Sequence, residues 1–213
     1  YPYVGDNRAM QEGKKTLLAG RGYLAALVAI VAAGALLRLW GLDTQSLWND
    51  ELSSWHRANY ESLSEVIEHA KNDIHPPGYH VLTWWVLQIF GDSEIALRFP
   101  SAVFGILSIL LIWFLGTRLF TKKEGIISAA FMALFWFPVH YSQEARAYSA
   151  LLFFAIASAT CWWYLLRSMR EKSRPSPGWT AGYMISAIAC AYLHYFGLLL
   201  VAMQGTGLAL ALA

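Results

Sequence analysis

Charge is scarce in this chain: 14% of its 213 residues are charged, whereas 57% are hydrophobic. Soluble domains carry about 25% charged and roughly 45–50% apolar residues, so an ordinary soluble domain is excluded and a lipid solvent is indicated. Cysteine is nearly absent. Cys161 and Cys190 lie inside apolar runs, without the spacing of a zinc knuckle or a disulfide framework, and read as packing residues. The formal net charge is only +2, and no basic run is interleaved with aromatics, which excludes a nucleic-acid surface. The six histidines include no His-x-His or His-x-x-x-His pair, so a metal signal is weak. No internal repeat or low-complexity segment is present.

Long hydrophobic runs are what the chain does have. A spanning helix needs about 20 mostly apolar residues, and Leu17 to Trp40 meets that, with Lys14, Lys15 and Arg21 at its start. It is too long for a signal-peptide core and reads as an uncleaved anchor. Residues 1–16 are a cytoplasmic tail or an added segment and are left out of the fold argument. The chain stops at Leu210-Ala211-Leu212-Ala213, inside an apolar run. A fragment is therefore expected, with residues 17–213 forming the N-terminal module of a larger membrane protein.

Between about 41 and 94 the chain turns polar and aromatic, an expected outer loop. Ser62-Leu63-Ser64-Glu65 fits a capping box ahead of Val66, Ile67 and Ala70 at helical spacing. That predicts a short amphipathic helix, either lying on the membrane surface or in an ordinary outer loop. His75-Pro76-Pro77-Gly78-Tyr79-His80 then opens an apolar run from Val81 to Phe90, which is short for a crossing.

Charge decides whether that run crosses. If it does not, spans follow at about 95–120, 124–141, 147–167 and 179–196, and another begins before the end. With the N-terminus in the cytoplasm, the inner segments then hold Arg8, Lys14, Lys15, Arg21, Arg118, Lys122, Lys123, Arg167, Arg170, Lys172 and Arg174, eleven of the sixteen basic residues. Ten of the fourteen acids fall outside. A crossing would move both later basic loops outside, against the positive-inside rule. The non-crossing reading is adopted.

Five polar clusters then share the outer face. They are Asp50-Glu51, His75 to His80, Arg98, Gln143-Glu144-Ala145-Arg146, and Leu193-His194-Tyr195-Phe196-Gly197. Ionisable residues near the bilayer are expensive and mark substrate paths. Asp50 is either a general base for a hydroxyl or one of a surface acid pair. Arg98 and Arg146 suit a lipid-linked phosphate, or else snorkel and pair with Glu94 or Glu144. His75, His80 and His194 are hydrogen bonders to a phosphate, or ligands of a divalent metal together with Asp50 or Glu144. Tyr79 stands among these groups, and Tyr195 is a weaker lining candidate.

Trp48-Asn49-Asp50-Glu51, His75-Pro76-Pro77-Gly78, Leu97-Arg98-Phe99-Pro100-Ser101 and Tyr141-Ser142-Gln143-Glu144-Ala145-Arg146-Ala147-Tyr148 occur in that order. The order resembles the GT-C membrane glycosyltransferases: the protein O-mannosyltransferases (glycosyltransferase family 39) and bacterial relatives such as the lipid A aminoarabinose transferases. The resemblance spans roughly residues 20 to 200. It implies an all-α, polytopic transmembrane bundle with amphipathic juxtamembrane helices in its first outer loop.

It further implies inverting transfer from a polyprenyl-phosphate sugar to an acceptor hydroxyl on a protein, lipid or glycan. The setting is the outer face of a bacterial or archaeal cell membrane. By resemblance, Asp50 is the base with Glu51 beside it, and Arg98 binds the donor phosphate, helped by His75 and Arg146. A lysine stands at the His75 position in the aminoarabinose transferases. Glu144 replaces a common aspartate, leaving open a role toward acceptor, sugar or metal; Tyr79, His194 and Tyr195 are further substrate candidates. No cofactor is certain, a divalent metal being the one option. The alternatives are a non-enzymatic lipid-carrier transporter or an inactive lipid-phosphate-binding assembly partner.

Overall fold

A computed structural model describes the backbone of residues 5–212 and the side chains of residues 20–210. Among these residues there is no strand, and the architecture is a helical membrane bundle. In chain order the helices are α1 Gly5–Leu39, α2 Asn49–Ala58, α3 Leu63–Ala70, α4 Gly78–Phe90, α5 Glu94–Leu119, α6 Lys122–Leu134, α7 Trp136–Ser142, α8 Tyr148–Arg170, α9 Pro177–Leu193 and α10 Tyr195–Leu212. Of the expected segment 1–16, the first four residues lie outside the described residues, and from Gly5 the backbone is continuous with α1.

Three helical stretches are long and apolar enough to cross a bilayer: Gly20–Leu39, Glu94–Leu119 and Tyr148–Arg170. A fourth is formed if α6 and α7, bent by 55° at Phe135, count as one span. The expected single run over 124–141 is therefore broken. Pro138 supplies the cause, because its nitrogen has no hydrogen for the carbonyl four residues back, that of Leu134, and its ring crowds it. α4 has 13 residues, short of the roughly 20 that a crossing needs.

α5 sits at the centre, against α1, α4, α6, α7 and α8, and α9 packs along α8. The core is built from small side chains. Ala129 and Ala133 of α6 are fully buried against Leu27 of α1 and Ile109 of α5, the small-residue packing expected of membrane helices.

Arg38, near the end of α1, is 0% exposed. It donates from Nη2 to the Met132 carbonyl (2.6 Å) and from Nη1 to the carbonyls of Ala133 and Gly34 (3.0 Å each). Its Nε reaches Ser142 Oγ at 3.2 Å. A cation on the open carbonyls at the end of α6 satisfies them and complements the helix dipole. Gly105 leaves the room: a Cβ there would overlap Ser142 Oγ and come within 2.8 Å of Arg38 Nε.

In the outer segment, Ser62 caps α3 by accepting from Glu65 N at 3.4 Å. α3 turns Val66 inward, where it is fully buried. A Cβ on Gly78 would lie 2.5 Å from the Tyr192 carbonyl. Glycine there lets the start of α4 press against the end of α9, and this closes the site described next.

Candidate active site

Glu51 and Arg98 join the outer segment to the bundle. Arg98 donates from Nε to Glu51 Oε1 (2.8 Å) and from Nη2 to Oε2 (2.7 Å), a bidentate pair between side chains 6% and 1% exposed. Nη1 donates to the carbonyls of Leu42 (2.6 Å) and Gln45 (2.8 Å), and Nη2 also reaches Ser46 O at 3.3 Å. A guanidinium has five N–H donors, and all five are used. Glu51 in turn accepts from Ala145 N at 2.8 Å and from Trp48 N at 3.3 Å. Burial alone would raise the Glu51 carboxyl pKa. The hydrogen bonds from Arg98 and Ala145 outweigh it and hold the group below the ordinary carboxylate range.

The donors of Arg98, expected on the donor phosphate, are all engaged within the protein, and Glu51, expected beside the base Asp50, is buried against Arg98. Together they fasten residues 42–46, the first turn of α2 and the loop before α8 to α5.

Two clefts flank this clasp. The first, with a cavity volume of about 20 Å³, is lined by Arg57, His75, Tyr79, His80, Arg146 and His194 among others. α2, α4, the 143–147 loop and the α9–α10 break each contribute to it. Asp73 forms an ion pair with Arg57 (2.5 Å) and accepts from His75 N (3.0 Å). It also lies 3.6 Å from His80 Nε2. His75 Nδ1 and both ring nitrogens of His80 are buried without a hydrogen-bond partner. The His75 and His194 rings meet edge-on at 5.8 Å, and the Arg146 guanidinium lies 5.6 Å from the centre of the Tyr148 ring. Burial lowers the pKa of His80 and of His194, and the neighbouring Arg146 adds to this. Tyr79, also buried, is pushed up. Buried polar groups ordinarily find partners; here the nearest to His75 Nδ1 and His80 Nε2 is the Asp73 carboxylate, at 3.5 and 3.6 Å.

The second cleft, of about 410 Å³, is lined by the clasp residues Glu51 and Arg98 and bordered by Trp40, Trp48, Gln45, His140, Gln143 and Glu144. His140 Nε2 lies 3.1 Å from Glu144 Oε1, and its ring stacks on Trp136 at 4.7 Å. Glu144 is 8% exposed, and its Oε2 is buried without a partner. Burial raises its carboxyl pKa; His140 opposes this and the charge of Glu51 adds to it.

Asp50 lines neither cleft, but it adjoins Glu51 of the second and contacts Arg146 of the first. Its carbonyl accepts from Arg146 Nη1 at 3.1 Å, its carboxylate lies 3.5 Å from Arg146 Nη2, and its side chain is 49% exposed. Residues of all five sequence clusters therefore lie in or beside the two clefts; of the expected site residues, Asp50 and Tyr195 line neither, and Tyr195 is 52% exposed. Among the described residues no three His, Cys, Asp or Glu side chains are grouped to hold a metal ion, so Asp50, Glu144 and His194 do not converge on one. Arg57, Asp73 and His140 were not among the expected site residues. The signal for His140 was its i, i+4 spacing to Glu144.

A helical membrane bundle whose interfacial end gathers a cationic pocket, a carboxylate and a polar cleft is a membrane glycosyltransferase of the mannosyltransferase type. Residues 74–212 match the family model described as dolichyl-phosphate-mannose-protein mannosyltransferase, and the chain belongs to that family. No curated protein and no solved structure matches it. The match begins at Ile74, so Asp50 and Glu51 precede it; hydrogen bonds from Arg98 and Ala145 tie Glu51, and one from Arg146 ties Asp50, to the matched region.

Proposed function

We propose that the protein transfers a sugar from a polyprenyl-phosphate donor to an acceptor hydroxyl, with inversion, on the outer face of the cell membrane. The observation that carries this is the first cleft, where three buried imidazole nitrogens lack partners beside Arg146. Phosphate is the anion the family's name suggests, and Arg146, His75 and His194 would hold it. The phosphate role expected of Arg98 passes to Arg146. An apolar groove between α4 and α5, walled by Leu82, Trp85, Phe99 and Phe104, suits the polyprenyl chain.

In the reaction, Asp50 takes the proton of the acceptor hydroxyl as its oxygen attacks the anomeric carbon from the face opposite the phosphate. The bond from that carbon to the phosphate oxygen breaks, and the electron pair leaves with the phosphate. Negative charge grows on that oxygen, where Arg146 and neutral imidazole N–H groups stabilise it. Glu51 and Arg98 act as positioning residues that hold the turn bearing Asp50.

The test is transfer from labelled polyprenyl-phosphate mannose in proteoliposomes. Asp50→Asn should lower transfer by about 10²–10⁴-fold, the range for general base catalysis, and leave donor binding intact. Arg146→Ala should weaken donor binding itself. Full activity in Asp50→Asn would remove Asp50 from the mechanism.

A further inference from the structure

The phosphate pocket leaves the larger cleft unexplained. Its walls combine two exposed indoles with a carboxylate that is nearly fully buried. Trp40 is 75% exposed and Trp48 47% exposed, whereas Glu144 is 8% exposed with Oε2 unpartnered. Tryptophans of an interfacial belt face lipid; these two border a polar cleft that also holds Gln45, Gln143 and His140. Its volume of about 410 Å³ is within the roughly 300–1,000 Å³ of small-ligand sites.

The backbone around this cleft is already spoken for. Arg98 takes the carbonyls of Leu42, Gln45 and Ser46. Gln143 Nε2 donates to the carbonyls of Leu37 and Trp40 at 2.9 Å each, and Gly41 O accepts from Thr44. An extended peptide binds largely through main-chain hydrogen bonds along an open strand edge, and these carbonyls, each already accepting from a side chain, form no such edge. A pyranose needs something different: a flat apolar surface for its C–H face and a few acceptors for its hydroxyl rim. Indole faces and the Glu144 carboxylate provide both.

We infer that the cleft bordered by Trp40, Trp48, His140 and Glu144 is the acceptor site and that it takes a saccharide ring. This rests on the transferase reading, with Asp50, which contacts Arg146 of the first cleft and adjoins Glu51 of the second, delivering the acceptor hydroxyl to the donor. Glu144 accepts from the ring hydroxyls, and His140 holds Glu144 through its other oxygen.

The full chain in lipid nanodiscs tests this, with methyl α-mannopyranoside and methyl α-glucopyranoside as probes and saturation-transfer NMR as the readout. Saturable binding of at least one glycoside to the wild type is expected. Trp40→Ala and Glu144→Gln should each weaken it about tenfold, the loss of one stacking face or one charge-assisted hydrogen bond, and Trp40→Phe should restore most of it. A transfer arm offers labelled polyprenyl-phosphate mannose with the bound glycoside or with a serine- and threonine-containing peptide, and label on the glycoside is expected.

No saturable glycoside binding, or binding unchanged in both variants, overturns the inference. So does label on the peptide alone, which makes a protein hydroxyl the acceptor. Donor binding, read separately in wild type and Arg146→Ala, reports on the transferase reading itself. Glycoside bound without any donor binding sinks that reading and not the saccharide site.

Discussion

Arg98 carries five N–H donors and meets five acceptor contacts, which decides what happens when it is changed. Breaking a buried pair by removing one partner costs about 3–5 kcal/mol, because the other charge stays buried alone. Arg98→Ala should therefore lower the thermal unfolding midpoint sharply, and Arg98→Lys should recover little, since an ammonium cannot fork onto a carboxylate and three carbonyls. Circular dichroism in detergent checks both; an unchanged midpoint in Arg98→Ala would return the guanidinium to a binding role. The pH sign follows from Glu51. Its pKa is depressed from 4.5, so its contribution is complete above that value and is lost as pH falls through the lower folded value. Glu51→Gln should flatten that acid limb. The sequence marked Asp50, Glu51, Arg98 and Arg146 as a set, because charged residues near a bilayer stand out. It could not separate clasp from ligand, since the partners of Arg98 are mostly backbone carbonyls, which every residue has.

At the level of helices, the break between α6 and α7 is the feature that hydropathy hides. The stretch 124–141 is apolar throughout its centre and reads as one span, yet Pro138 removes the hydrogen bond to Leu134 and the helix bends by 55°. The freed carbonyls of Met132 and Ala133 are then taken by Arg38. α7 emerges from the bend carrying His140 toward Glu144. Arg38→Leu should leave those carbonyls unsatisfied at about 1–3 kcal/mol each. Gly105→Ala should destabilise as well, by driving a methyl group into Arg38 and Ser142. Thermal unfolding of the two single variants and the double variant checks this. If both changes act on one network, their costs will fall short of adding; full additivity would show that Gly105 and Arg38 act apart. A lone arginine near the end of an apolar run gave no hint of this role, because its acceptors lie about 95 residues away in sequence.

Across the whole molecule, five polar clusters separated by apolar runs converge at one end of the bundle, and that was legible from order and spacing alone. Alternating spans return every second connecting loop to the same side, provided that α4 does not cross. α4 has 13 residues, about 20 Å of helix at 1.5 Å per residue, against a hydrocarbon core of about 30 Å. The orientation that follows puts Ser64 outside and Ser173 inside. Both are exposed, and the chain's own Cys161 and Cys190 are buried. In intact cells a membrane-impermeant maleimide should label Ser64→Cys at once and Ser173→Cys only after permeabilisation. If α4 crosses, the loop bearing Ser173 moves outside, and both variants react in intact cells. The same reversal would carry the 143–147 loop to the cytoplasmic side, away from Asp50. The hydrogen bond from Ala145 N to Glu51 Oε1 requires the two to share a face, so labelling of Ser64 alone is the expected result.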